Sequence, residues 1–211
     1  MKALKFIPLV AVLFAACSKQ DDVVSPIQQQ PTAPQNVQYF NLPVDGAAQF
    51  TGMIDGTSAQ FIDGQDGVDN VASVTTNGSN TTLASEFTIR ENGNVVGKLI
   101  IAKRYINQSS LADTANIHQF FAAKAYGFAQ GNSNSGVVIT YIDHNNTVWT
   151  SKGTQTGANF DIKTTKSTFT RPCSVDTYEV KAKIDMACTL YNNNKSITIG
   201  GSAVSKFAVA Y

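Results

Sequence analysis

Few side chains in this sequence have both the type and the spacing to do chemistry. Asp63, Asp66 and Asp69 put three carboxylates three positions apart among glycines, in Asp-Gly-Gln-Asp-Gly-Val-Asp. Calcium takes several carboxylate oxygens from such flexible turns, but an EF-hand has acids at every second position and a closing glutamate. Both are missing, so a solvated turn is the expectation and no metal is assigned. Asp143-His144 has the residue types of an acid–base pair. It falls in Asp143-His144-Asn145-Asn146, which reads as a hairpin turn, where nothing excludes water and no third group orients the imidazole. His118 has only Asp113 near it at ligand spacing and is expected to be a surface or hydrogen-bonded histidine. Trp149 and Tyr141, with neighbouring Asn and Gln, have the chemistry to stack on and hydrogen-bond a sugar. On an alternating strand the same aromatics would instead be core. A sugar site would need Trp149 on a concave face with two or more amides around it. The chain has no nucleophile elbow, paired histidines, metal-ligand spacing or phosphate-binding glycine loop before a helix. No catalytic residue and no cofactor are expected, and the protein reads as a non-enzyme.

The remaining reactive groups are Cys17, Cys173 and Cys188. Cys17 follows a basic head, Lys2 and Lys5, and an apolar run from Phe6 to Ala16, which is the layout of a secretory signal peptide. The run is well short of the ~20 residues that span a bilayer. Leu13-Phe14-Ala15-Ala16-Cys17 resembles the bacterial lipobox, with Leu displaced by one position and Phe14 in its usual place. The resemblance implies lipid transfer to the Cys17 thiol, cleavage after Ala16 and acylation of the new terminus. Each buried methylene contributes about 0.8 kcal/mol, so two or three chains on one residue hold it to a membrane where one would not. Ser18-Lys19-Gln20-Asp21-Asp22 resembles the export signal of surface lipoproteins of the Bacteroidota. That implies the outer membrane and its outer face; as plain linker charges, the same residues fit retention on the periplasmic leaflet.

Residues 1–16 are thus the expected signal peptide, and 17–36 the lipidated tether. From Asp21 to Asn36 the chain carries prolines and glutamines with no hydrophobic period, too little to fold by itself. Residues 18–36 would reach roughly 25 Å as a flexible coil. Residues 37–211 make one domain's worth of chain. Without Lys2 and Lys5 the 16 basic residues become 14 against 15 acidic, a net charge of −1. Lysine and arginine are scattered, which argues against nucleic acid as a partner. Low charge with many Thr, Ser, Asn and Gly fits an extracellular, mainly β protein. In an oxidising compartment Cys173 and Cys188 could bridge, closing a loop worth about 3 kcal/mol; two free thiols are the alternative.

Along the domain, Gln49–Ile54 and Thr57–Ile62 flank Asp55-Gly56, a pair suited to a two-residue hairpin turn. Leu83–Arg90 and Val95–Ile101 flank Asn92-Gly93 in the same way, with Leu83, Phe87 and Ile89 inward and Glu86, Thr88 and Arg90 outward. Ile117, Phe120 and Phe121 lie three and four apart, so one short helix is expected over 113–124, capped at Asp113 or Thr114 and stopped by Gly127. Val137–Ile142 reads as a strand covered on both sides or in mid-sheet, followed by Thr147–Ser151 and Ala158–Lys163. Val180, Ala182, Ile184, Met186, Cys188 and Leu190 alternate with polar residues, so this strand has one core face. After Asn192-Asn193-Asn194 come a strand at Ser196–Ile199 and a final one at Phe207–Val209. The fold class is mainly β: an antiparallel β-sandwich or barrel-like domain with one short helix.

Gly136–Asp143, Val148–Ser151 with Gly153 and Gln155, and Ala187–Asn192 resemble the C-terminal part of small uncharacterised lipoproteins of the Bacteroidota. The resemblance implies an envelope address and no activity. The expectation is a lipid-anchored, non-catalytic binding or structural module whose partner is the membrane and, beyond it, a glycan or an envelope protein.

Overall fold

The computed structural model describes residues 32–105, 118–131, 134–170 and 177–210. Within them run β1 (Gln49–Ile54), β2 (Thr57–Ile62), β3 (Val68–Asn77), β4 (Asn80–Glu91), β5 (Asn94–Tyr105), β6 (Lys124–Ala125), β7 (Gly136–Ile142), β8 (Val148–Ser151), β9 (Asn159–Thr170), β10 (Thr177–Asn192) and β11 (Lys195–Ala210). They pair antiparallel in the order β2-β1-β11-β10-β8-β7-β5-β4-β3. The sheet forks along β10: residues 177–187 pair with β9, and Leu190 and Tyr191 pair with β8. β6 adds to the far side of β9. The result is one curled sheet, a half-barrel, which is the barrel-like of the two expected architectures.

Both expected hairpins form with the turns their sequences ask for. Asp55 and Gly56 have φ of 49° and 76°, Asn92 and Gly93 of 50° and 80°, the left-handed pairs that match strand twist. Inward residues then follow the two-residue period. Leu83, Phe87, Leu99 and Ile101 are fully buried, as are Ala182, Ile184, Met186, Cys188 and Leu190 on the strand whose alternation is clearest.

Three expectations change. β3 takes up only the end of the expected turn, from Val68, and runs on through residues for which no element is expected, because as the sheet's edge it buries little beyond Val68 and carries no apolar alternation. The two expected strands at 196–199 and 207–209 are one strand, β11, which runs through Gly200-Gly201 without a break. Of the expected helix, residues 113–117 lie outside the described residues and His118–Phe120 is helical, but Lys124 and Ala125 leave it to pair with Ile162 and Asp161 as β6.

The domain also begins earlier than Val37. Thr32–Asn36, expected to belong to the tether, are docked: the Ala33 N–H donates to the Thr156 carbonyl (2.8 Å) and the Thr189 hydroxyl donates to the Thr32 carbonyl (3.1 Å). The chain then straps the outer face of the sheet. The Phe40 N–H donates to Ser202 Oγ (2.8 Å), whose hydroxyl donates to Asp185 (2.7 Å), and Lys183 Nζ donates to Asn41 (2.6 Å). Residues 17–31 lie outside the described residues.

Beneath the strap two facing glycines leave no room for a side chain. Gly52 of β1 sits opposite Gly201 of β11, on the inner face. A Cβ on Gly52 would lie 2.2 Å from the Gly200 carbonyl oxygen, and one on Gly201 2.3 Å from that of Thr51. The fully buried Phe50 ring covers the space the missing side chains leave, as aromatics do over glycine kinks. Val37 closes the outer side over Gly200. Gly52→Ala is therefore expected to cost about 2–3 kcal/mol, since backbone has to move. Gly56→Ala meets no atom and suffers only its positive φ, so it should cost about 1 kcal/mol. Urea midpoints of the two variants measure the difference.

Candidate functional site

The half-barrel carries a cavity at each end of β5. The first lies at the end where the hairpin turns Asp55-Gly56 and Asp143–Asn146 gather, and has a volume of about 640 Å³. Tyr141 and Trp149 are cross-strand partners on β7 and β8, and Tyr141 also stands opposite the buried Leu99, so both aromatics face inward. They are half-buried: one side packs on the core while both line the cavity. The structure thus brings together the two residues expected to bind a ligand. Asp143 is part of the same site in a different role from an acid–base partner. Its carboxylate accepts the Trp149 indole N–H (3.0 Å) and the Asn145 and Thr147 N–H groups (both 2.9 Å), which fixes the turn and the ring. Partial desolvation pushes Asp143 up, but the hydrogen bonds outweigh it and hold the carboxyl below its ordinary range. His144 is exposed and also lines the cavity. One amide, Gln60, lines it, fewer than the two a sugar site was expected to show.

The other sequence candidates separate. Asp63 accepts the Asn70 N–H (2.9 Å) and Asp69 pairs with Arg90 (3.2 Å), so both acids act within their turn and strand. No group of three metal-ligating side chains occurs among the described residues. His118 is bonded to the Tyr178 hydroxyl (2.7 Å), a satisfied histidine. Cys17 and Cys173 lie outside the described residues. Cys188 is fully buried, eleven positions (188 − 177) along β10 from Thr177, and burial pushes its thiol well above the ordinary range.

The second cavity, about 490 Å³, holds the residue that sequence reasoning missed. Lys103 of β5 points inward between Ile101 and Tyr105, flanked across the sheet by Leu83 and Val137, and is only 4% exposed. Its Nζ donates to the Phe120 carbonyl and lies 3.9, 4.7 and 5.7 Å from the ring centres of Tyr126, Phe121 and Tyr105. Desolvation, helped by nearby Lys124, lowers Lys103 from 10.5 to about 7. The ring faces favour the ammonium and oppose part of that shift. Tyr105 is also buried, and its hydroxyl has no hydrogen-bond partner among the described residues. The signal was present in the sequence: continuing the alternation of Leu99 and Ile101 by one step puts Lys103 on the core face.

A lysine whose folded pKa lies below its unfolded one weakens the fold most at low pH. The unfolded chain binds the extra proton between about 7 and 10.5, so this penalty is complete below 7 and fades as pH rises towards 10.5. Lys103→Met keeps the stem and drops the amine. It is expected to stabilise the protein by on the order of 2–3 kcal/mol near pH 6 and by progressively less above pH 8, as read from denaturant midpoints across pH. Iodoacetamide is expected to leave Cys188 unmodified in the folded protein and to alkylate it in urea. In urea without reductant, a bridge to Cys173 would block both thiols and free thiols would not, a difference that peptide mass spectrometry reads. Compared with protein-family models, with curated proteins and with solved structures, the chain matches none.

Proposed function

We propose that this protein is a lipid-anchored lipoprotein of the bacterial envelope, held to the outer membrane with its β domain outward, and that it serves as a non-catalytic binding or structural module. The observation that carries the reading is the order Lys2, Lys5, apolar Phe6–Ala16, then Cys17 within Leu-Phe-Ala-Ala-Cys. Acyl chains on Cys17, a palmitate and a diacylglycerol, hold a domain of low net charge beside the bilayer. Between Cys17 and the first docked residue, Thr32, lie fourteen residues (18–31), a coil spanning roughly 20 Å. This is long enough to keep the domain clear of the head groups. The membrane is the first partner, and a glycan or an envelope protein the second.

A carbohydrate-binding accessory role is the second reading, favoured by Tyr141 and Trp149 standing side by side at a 640 Å³ cavity. An indole held by Asp143 offers a fixed apolar face, and Asp55, Gln60 and Asp143 offer partners for hydroxyls. The single amide counts against it.

Cys17→Ser is expected to move the protein from the membrane fraction to the soluble fraction, and mass spectrometry of the wild type to find an acylated mature terminus at Cys17. An unmodified terminus, or a Ser variant still held in the membrane, would sink the anchor. Protease shaving of intact cells reports the side: loss of the β domain supports surface display, and full protection supports the periplasmic leaflet. Retention on a glycan array that Trp149→Ala abolishes would select the carbohydrate reading.

A further inference from the structure

The cavity beside Lys103 has more than packing requires. Its volume, about 490 Å³, is that of a small-molecule pocket. The ionisable side chains on its wall are basic or phenolic: Lys103, Lys124, Arg104, Tyr105 and Tyr126, with no carboxylate among the described lining residues. Arg104 is tied to the Gly131 carbonyl (2.8 Å) and shapes the rim. Rings of Phe120, Tyr126 and Phe128 form apolar sides. The buried Tyr105 hydroxyl, without a partner among the described residues, carries a desolvation cost that an acceptor would relieve. Lys103 and Tyr105 both line the cavity, two positions apart on one strand, and their buried amine and buried hydroxyl, the latter without a partner among the described residues, are the two donors an anion needs.

We propose that this cavity binds a small organic carboxylate with a flat apolar body, one oxygen accepting from the Lys103 ammonium and the other from the Tyr105 hydroxyl. The body lies against Phe120 and Tyr126. A bare phosphate would leave these aromatic faces without a partner, and a cationic ligand would meet Lys103 and Lys124. The site is separate from the Trp149 cavity, four positions of β5 away, and does not depend on the lipid anchor.

The pH profile follows from the groups that face the amine. These are Tyr105 on β5 and Lys124 and Tyr126 across the cavity, while Arg104 is turned to the Gly131 carbonyl and His118 packs against Tyr178. Arginine stays charged, burial pushes both tyrosines up, and His118 is engaged with Tyr178. Lys103 therefore sets the profile. Binding needs its ammonium, so affinity is greatest near pH 6, where the ligand is already ionised, and falls as pH passes about 7.

Fluorine NMR of para-fluorophenylacetate with the full chain tests this. The expected result is saturable binding near pH 6, about tenfold weaker near pH 8. It should be lost in Lys103→Met and several-fold weaker in Tyr105→Phe, both with unchanged circular dichroism. Para-fluorophenethylamine should not bind. No saturable binding, equal binding of the amine, undiminished binding in a folded Lys103→Met, or displacement of the probe by inorganic phosphate at equal concentration would each overturn the proposal. Should Lys103→Met fail to fold, undiminished binding by Tyr105→Phe overturns it instead.

Discussion

A sheet can enclose a core only where it bends, and here the bend depends on backbone lying against backbone. Gly52 and Gly201 face each other across β1 and β11 at a spacing that excludes even a methyl group. Because those two positions lack side chains, β1 and β2 can turn inward and bring Phe50 and Phe61 over the core, their ring centres 5.8 Å apart. The cost is a thin place in the wall, with little apolar surface of its own. Phe50 covers it inside and Val37 covers it outside. The strap is thus part of what lets the sheet curl, which explains why residues with no hydrophobic period hold fixed places on it through Thr32, Phe40 and Asn41.

The curl also explains the buried lysine. A half-barrel leaves its ends to be filled by whatever the last inward positions carry. At the Asp143 end they carry Tyr141 and Trp149, whose polar tips reach water or an acceptor. At the other end Lys103 and Tyr105 occupy the corresponding places on β5, roofed by Phe120, Phe121 and Tyr126. An apolar residue at 103 would satisfy packing with less loss of stability, because a desolvated amine costs several kcal/mol before its hydrogen bond and ring contacts repay part of it. Destabilising polar groups of this kind, facing a cavity, are where sequence choice serves something other than the core.

Much of the fold was legible because the relevant signals are local. Asp55-Gly56 and Asn92-Gly93 fix their turns within two residues, and the alternation from Val180 to Leu190 records a strand that is core on one side and polar on the other. What escaped depends on tertiary partners. β3 gains its strand geometry from pairing with β4, so its own residues need no pattern. Gly200-Gly201 reads locally as a break and acts as a kink only because β1 and β10 hold both sides. Lys124 and Ala125 fit a helix by composition, yet the free edge of β9 takes them as strand. Of the site, Tyr141 and Trp149 were visible as aromatics with possible use, while their meeting is a matter of register. Lys103 was hidden by its charge, since a lysine at an inward position looks like the end of a strand rather than its continuation.

The two ends of the half-barrel also differ in sign, which the near-neutral net charge conceals. Asp55 and Asp143 line one cavity; Lys103, Lys124 and Arg104 line the other. Leu99, opposite Tyr141, and Lys103 are four positions apart on β5, about 13 Å at strand spacing. That exceeds a Debye length of about 8 Å at physiological ionic strength, so the exposed Asp55 and Lys124 are largely screened from the opposite ends, and the buried Lys103 less so. Each cavity therefore presents its own field to solvent. The separation follows from the strand itself, since β5 is long enough to reach both ends and its inward residues change from apolar at Leu99 and Ile101 to polar at Lys103 and Tyr105.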